Sequence, residues 1–295
     1  MTDIMPAGVP APDAPAPIPG VPLPTRAVET ALGPQDLVLG RLGNLTTRLA
    51  RNRSEVVKAQ ELRYRVFFEE RGHAAKPSAI DADAFDPHCD HLLVLDGAQI
   101  VGTYRLLPKH RAAAAGGFYS AQEFCLDGLT QQSTCAGLLE LGRSCILPSY
   151  REKRTMELLW GGTWAYALAM GATRLFGCAS FEGTDPLKHE RALSLLAASA
   201  LLEGHEDCPA AAHVPQKNRL DLKSLSNSAQ VSPREVLRLL PPLLKGYLRV
   251  GARFASTAVI DQDFGTTDVL VVLDVDRINP RYINHYGADA SRYRS

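Results

Sequence analysis

The sequence contains no Cys-x-x-Cys pair, no apolar run of 18 residues and no excess of either charge. Its six cysteines, at 89, 125, 135, 145, 178 and 208, are too sparse for a disulfide framework. They are expected to be reduced thiols in a cytoplasmic protein. Without a long apolar run there is no candidate for a membrane-spanning helix. Residues 1–24 lack the basic and apolar regions of a signal peptide. Lys plus Arg equals Asp plus Glu at 32 each, which argues against a general nucleic-acid binder and leaves only local basic patches. Neither a Gly-x-Ser-x-Gly elbow nor a Walker loop occurs, which removes the usual signatures of serine hydrolases and P-loop NTPases. What remains is an ordinary globular composition of 295 residues, 45% hydrophobic and 22% charged.

The Pro/Ala-rich stretch to residue 36 cannot build a core and is expected to be a flexible tail. Order is expected from a strand over 45–49, then a helix from Glu55 to about Arg71 capped by Ser54 and stopped at Gly72. Two apolar runs, HLLVLD and QIVGTYRLL, flank Asp96-Gly97-Ala98 and predict a hairpin. Residues 108–137 read as an exposed connection. LLELGRSCIL reads as a strand, a helix follows over about 155–170, and RLFGCASF gives another strand. Asp185-Pro186 opens a helix to about Leu202, and 204–230 reads as loop. Ser232-Pro233-Arg234-Glu235 has the form of a capping box, and Pro241-Pro242 should break the leucine-rich segment it opens. Two strands close the chain, RFASTAVI and DVLVVLDV. The mixture, without strict βαβ alternation, predicts an α+β layered fold.

Three stretches carry candidate chemistry. In LELGRSCILPSYREKRT a strand enters a turn bearing Arg151, Lys153 and Arg154 before the helix at Thr155. Free amides and the dipole at a helix start suit a phosphate, although the turn lacks the usual glycines and could equally be a solvated basic surface. On the strand itself, Glu140 and Arg143 fall on opposite faces under a period of two, so both can face a site only if a bulge intervenes. They could equally be a buried structural ion pair. The acidic run Asp81, Asp83, Asp86, Asp90 with His88 and His91 could hold a cation. It lacks EF-hand or paired zinc-ligand spacing and reads better as a polar loop, so no metal is expected. Cys145 has no recognisable His partner and reads as a packed thiol. VLRLLPPLLKGYLRV could cover a core or lie on an anionic membrane surface.

Taken in order, LRYRVFFEERGH, DADAFD, IVGTYRLLP and ELGRSCILPSYR resemble the acyl-homoserine lactone synthases, relatives of the GNAT N-acyltransferases that use acyl carrier protein. Arg63, Phe67, Asp83, Asp86, Arg105, Glu140 and Arg143 fall on that family's characteristic positions. CASFEGTDPLKHERALSLL and the late LPPLLKGYLRVGARFASTAVIDQDFGTTDVLVVLD resemble the sister group, the bacterial ornithine-lipid N-acyltransferases, and extend the likeness over nearly all of the chain past the tail.

The resemblance implies a GNAT-like fold with a central mixed, mostly antiparallel sheet flanked by helices. It places the acyltransferase core at 37–204, with 205–295 packing on or completing it. It implies transfer of a 3-hydroxyacyl group from acyl carrier protein to the α-amine of L-ornithine, giving lyso-ornithine lipid. Glu140 would act as base, with Arg143 beside it. Arg63 or Arg105 would hold the substrate carboxylate, and Asp83 or Asp86 its side-chain ammonium. Arg151, Lys153, Arg154 and Thr155 would meet the phosphopantetheine and dock its carrier. GNAT enzymes that use coenzyme A carry glycines in the turn where Arg154 and Met156 stand here, so the departure favours acyl carrier protein as donor and no bound cofactor. Peripheral contact with the inner membrane would suit such a product. Two other classes stay open: another N-acyltransferase using acyl carrier protein (a lactone synthase, or one acting on glycine or glutamine), and a non-catalytic carrier-binding module.

Overall fold

The computed structural model describes residues 38–72, 78–131, 137–225 and 237–278. The expected tail and the capping box at Ser232–Glu235 lie outside them. The chain begins with a hairpin of β1 (Val38–Leu42) and β2 (Leu45–Leu49). α1 (Arg53–Tyr64) follows. Its cap is Asn52, whose side chain accepts from the Glu55 amide, and not Ser54; one π turn, Arg65–Glu69, extends it. β3 (Asp90–Asp96) and β4 (Gln99–Pro108) form the expected hairpin, with Gly97 at φ +57° in its two-residue turn, a conformation that suits glycine. Then come β5 (Leu138–Ile146), α2 (Lys153–Ala169), β6 (Arg174–Glu182) and α3 (Glu190–Ser199). A short β7 (Arg219–Asp221), α4 (Pro242–Val250), β8 (Arg253–Asp261) and β9 (Thr266–Asp274) complete it.

These strands form one nine-stranded sheet in the order β1-β2-β3-β4-β5-β6-β9-β8-β7. Every neighbouring pair is antiparallel except β5 and β6. The α+β layered architecture is therefore as expected. Strand alternation divides β3 between two layers. Leu93 and Leu95 pack with Val56 and Ala59 of α1, whereas Leu92 and Val94 face the main core with Leu158 and Leu159 of α2. β8 and β9, from the C-terminal stretch, sit in the same sheet, with β9 between β6 and β8.

Three local expectations are corrected. β1 and β7 are strands that the sequence pattern did not reveal. The connection over 108–137 is not simply exposed: Phe118, Phe124, Leu126 and Leu129 are buried against Phe176, Leu270 and Val272. That face of β6 and β9 needs an apolar cover, and the connection supplies it. α3 ends at Ser199, preceded by a 3-10 turn that Asp185 caps through the Leu187 amide. The prolines do end one helical piece and start another: Pro242 opens α4, which buries Leu244 and Tyr247 in the core.

Candidate active site

β5 and β6 run parallel but pair only over Leu138–Glu140 with Arg174–Phe176. A Cβ added at Gly177 would stand 2.1 Å from the Leu141 carbonyl oxygen, so the last contact before the strands part leaves room for hydrogen only. Gly177→Ala is therefore expected to destabilise the protein by about 1–3 kcal/mol, read from the urea midpoint. An unchanged midpoint would mean that the two strands can separate freely.

On its other edge, β5 carries a bulge. Thr103 pairs with Cys145 and Arg105 with Gly142, so two steps on β4 face three on β5. Arg143 lies in the bulge at φ +56°, where a non-glycine residue is strained. The extra residue shifts the alternation, and Glu140 and Arg143 both reach the same cavity. That cavity, about 200 Å³, fills the gap between the parted strands. Arg71, Arg105, Tyr119, Glu140 and Arg143 line one side, and Cys178, Ser180, Asp261, Phe264, Thr266 and Asp268 the other. A second space of about 460 Å³ shares Phe67, Arg71, Tyr104, Ser144 and Leu243 with it and runs toward α2 along Val66, Ile146, Met156, Leu159 and Trp160.

Three arginines and three aspartates are interlocked behind the cavity. Arg63 donates to Asp81 at 2.8 Å and to both oxygens of Asp86 at 2.7 and 3.0 Å. Arg105 donates to both oxygens of Asp83 at 2.7 Å and to Asp86 at 3.3 Å. Arg143 reaches Asp81 at 3.1 Å and Asp83 at 3.4 Å, with its guanidinium stacked between Tyr119 and Phe264. Burial opposes the charge on Asp86, yet the Arg63 hydrogen bonds and the Arg63 and Arg105 charges hold its carboxyl far below the usual range. His91, buried beside Asp86, is lowered by that burial to about 4 and is neutral at pH 7.

Glu140 is 4% exposed. Its oxygens accept from the Tyr119 amide at 2.9 Å and the Ser120 amide at 2.7 Å. Burial raises its pKa, opposed by those amides and by Arg105. The buried thiols are inert by the same physics: burial pushes Cys145 up to about 12.

The structure thus brings Arg105, Glu140 and Arg143 to one cavity. Arg63 and Asp86 instead bind each other outside its lining, and both oxygens of Asp83 are engaged by arginines. Arg151 lies at the mouth of the second space, clamped to Glu70 by two contacts of 2.5 Å and donating to the Ile146 carbonyl. Lys153 is exposed and pairs with Glu157. The Arg154 guanidinium lies over the β1–β2 turn, where a Cβ at Gly43 would stand 2.5 Å from its Nη2. Thr155 is buried in the first turn of α2. Among the cavity residues that escaped the sequence reading are Tyr119, Asp261, Phe264, Thr266 and Asp268. Asp268 had a usable signal, a carboxylate within the apolar strand run DVLVVLD, where burial is costly without a partner or a role.

Comparison with known proteins places this architecture. The acetyltransferase (GNAT) domain profile matches residues 62–161, from the end of α1 into α2. An L-ornithine N(alpha)-acyltransferase of Rhizobium meliloti (strain 1021) is 47% identical over 273 residues, which cover 89% of this chain and 90% of that protein. An L-ornithine N(alpha)-acyltransferase of Agrobacterium fabrum (strain C58 / ATCC 33970) is 48% identical over 276 residues, covering 90% and 92%. The chain belongs to the L-ornithine N(alpha)-acyltransferase family. It is an N-acyltransferase of GNAT type. Among solved structures, the CoA-dependent acyl-homoserine lactone synthase BjaI, with SAM and isopentyl-CoA, aligns over 80% of this chain and 83% of that one, with 13% identity and a TM-score of 0.45. The family's GNAT region covers the bulged strand and the start of α2, while the acidic far wall of the cavity comes from β8 and β9, beyond it.

Proposed function

We propose that this member of the family transfers a 3-hydroxyacyl group from the phosphopantetheine of acyl carrier protein to the α-amine of L-ornithine, giving lyso-ornithine lipid. The observation that carries the reading is the polarity of the cavity in the β5–β6 gap. Arg71, Arg105 and Arg143 line one wall together with Glu140; Asp261 and Asp268 line the other, and an apolar space opens beside them. A diamino acid has a carboxylate for the first and a second ammonium for the far wall. The apolar space suits an acyl chain, and the relatives' printed name supplies the acceptor.

In this reading the acyl thioester lies along the edge of β5 beyond Glu140, where the backbone no longer pairs with β6. Its carbonyl oxygen meets a main-chain N–H in the stretch 143–146 as negative charge develops. Arg105 and Arg143 hold the substrate carboxylate. Glu140, raised by burial and holding lone pairs beyond those used by the two amides, takes the proton from the α-ammonium directly or through water. The amine nitrogen then bonds to the carbonyl carbon, the C–S bond breaks, and the thiolate leaves and takes up a proton. Arg151, Lys153 and Arg154, at the start of α2, face the phosphate and the acidic carrier. Arg151 exchanges Glu70 for that phosphate.

Purified protein incubated with a 3-hydroxyacyl thioester and ornithine should give Nα-acylornithine with a free δ-amine, resolved by tandem mass spectrometry. Turnover should be faster with the carrier-protein thioester than with the coenzyme A thioester. A preference for coenzyme A would reject the donor assignment, and acylation of glycine or glutamine in place of ornithine would reject the acceptor. The described residues contain no helix long and apolar enough to cross a membrane. Delivery of the product to a membrane then rests on peripheral contact.

A further inference from the structure

We propose that Glu123, Asp261 and Asp268 form the receptor for the side-chain ammonium of the acceptor, and so decide which of its two amines is acylated. This rests on the diamino-acid reading above and adds the residues that select for it.

The receptor is built by strand register. On β6 and β9, Ser180 stands opposite Asp268 and Glu182 opposite Thr266, and Asp261 of β8 pairs with Thr266. Period-two alternation therefore puts Asp261, Thr266 and Asp268 on the face that lines the cavity. Glu123 arrives from the connection after Ser120, which the Glu140 carboxylate pins through two amides. Carboxylate oxygens of the three acids lie within 4.8 Å of one another.

Such clusters are common on exposed surfaces without meaning, but here two of the three acids are buried, while Asp261 is half-buried and its Oδ1 accepts from the Asp263 and Phe264 amides. Glu123 is 8% exposed, Asp268 5% and Thr266 1%. Among the described residues, Glu123 Oε2, Asp268 Oδ1 and Thr266 Oγ1 lie outside hydrogen-bond distance of any partner, although buried polar atoms nearly always have one. Thr266, neutral and not part of the acid cluster, lines the cavity with its hydroxyl beside Asp268. The nearby cation is Arg143, whose Nε and Nη2 donate to Asp81 and Asp83, and its charge lowers the pKa of Glu123 and Asp268 without offsetting their burial. Buried acids without a paired cation are expensive to ionise: burial and mutual repulsion push Glu123 well above its ordinary range, and burial pushes Asp268 to about 6 although the Thr266 and Ser180 hydroxyls pull it down. A primary ammonium supplies what is missing, one positive charge and three donors on a single compact atom. Asp83 and Asp86 cannot serve in this way, because their oxygens are taken by arginines. With the side-chain ammonium held on the far wall and the carboxylate on the arginine wall, the α-amine is the one left beside Glu140.

The test compares L-ornithine with L-norvaline, the same chain without its terminal amine. For Glu123→Gln and Asp268→Asn, measured separately, KM for ornithine should rise while kcat stays within a few-fold. The ornithine-to-norvaline ratio of kcat/KM should collapse by ~10²-fold, the scale of one buried charge-assisted contact. Product mapping should reveal δ-acylornithine that the unaltered enzyme does not make. Both variants should keep a cooperative melt, so that loss of fold is not read as loss of selectivity. If the unaltered enzyme acylates ornithine and the variants keep its ratio and regiochemistry, the receptor assignment is wrong while the function stands. If the unaltered enzyme ignores ornithine, the function itself falls. Inactivation by a chelator, reversed by a divalent ion, would overturn the proposal in favour of a metal held by the same acids.

Discussion

Arg63→Ala is expected to destabilise the protein by about 3–5 kcal/mol, enough to leave a large fraction unfolded at 37 °C. The guanidinium is 1% exposed and is gripped by Asp81 and Asp86. Removing it takes the shortest ion pairs from two buried carboxylates, leaving Asp81 with Arg143 at 3.1 Å and Asp86 with Arg105 at 3.3 Å in an interior that cannot hydrate them. Urea denaturation at pH 7 measures the loss, and a midpoint within experimental error of the unaltered protein would contradict it. The pH dependence follows from Asp86. Its carboxyl is held well below the ordinary 3.8, so the folded state resists protonation that the unfolded chain accepts. That contribution is complete above the ordinary value and is lost as the pH falls below it. Arg63→Ala should therefore flatten the acid limb of the stability curve. Because Arg63 does not line the cavity, the molecules that remain folded at low temperature should keep their KM for ornithine. A large rise in KM in the folded fraction would return Arg63 to the substrate.

Glu140→Gln is expected to lower kcat by roughly 10²–10⁴, the usual range for loss of a positioned general base. The unaltered enzyme's kcat/KM should rise with pH as Glu140 ionises, and the variant should lose that limb. Geometry allows a competing role, because both Glu140 oxygens hold amides of the loop that delivers Tyr119 and Glu123. A glutamine turns an NH2 toward one of those amides and loosens the loop. Were this the whole effect, the variant would show a raised KM and an intact pH limb. Normal turnover would remove Glu140 from the chemistry altogether.

Local chemistry made much of the fold legible. Gly97 fixed the β3–β4 turn, Gly171 at φ +63° ended α2, and the paired prolines opened α4. β1 was missed because Gly40 and a register shift interrupt its alternation, and β7 because three residues, RLD, are too few to show one. The connection that buries Phe118, Phe124 and Leu126 has no helical or strand period to expose its role. In the site, the sequence placed Glu140 and Arg143 on opposite faces and named the bulge as the condition for bringing them together. It could not say which arginine would turn inward, because Arg63 and Arg105 differ only in how Asp81, Asp83 and Asp86 are shared among them. The far wall was hidden for a stronger reason. Asp268 meets Ser180 through a pairing across 88 positions (268 − 180), and no local pattern encodes that register.

That pairing also has a consequence in time. β9 is the last strand among the described residues, yet it lies inside the sheet with β6 on one side and β8 on the other. During synthesis, residues 62–161 leave the ribosome well before the hairpin that carries Asp261, Phe264 and Asp268 exists. Until that hairpin docks, β6 has an open edge and the cavity has one wall. A nascent chain would hold the bulged strand and the start of α2 without a means of choosing an amine. Long-range strand pairing is slow because the intervening chain must first be ordered. On the receptor proposed above, selectivity for the acceptor waits on the docking of that hairpin.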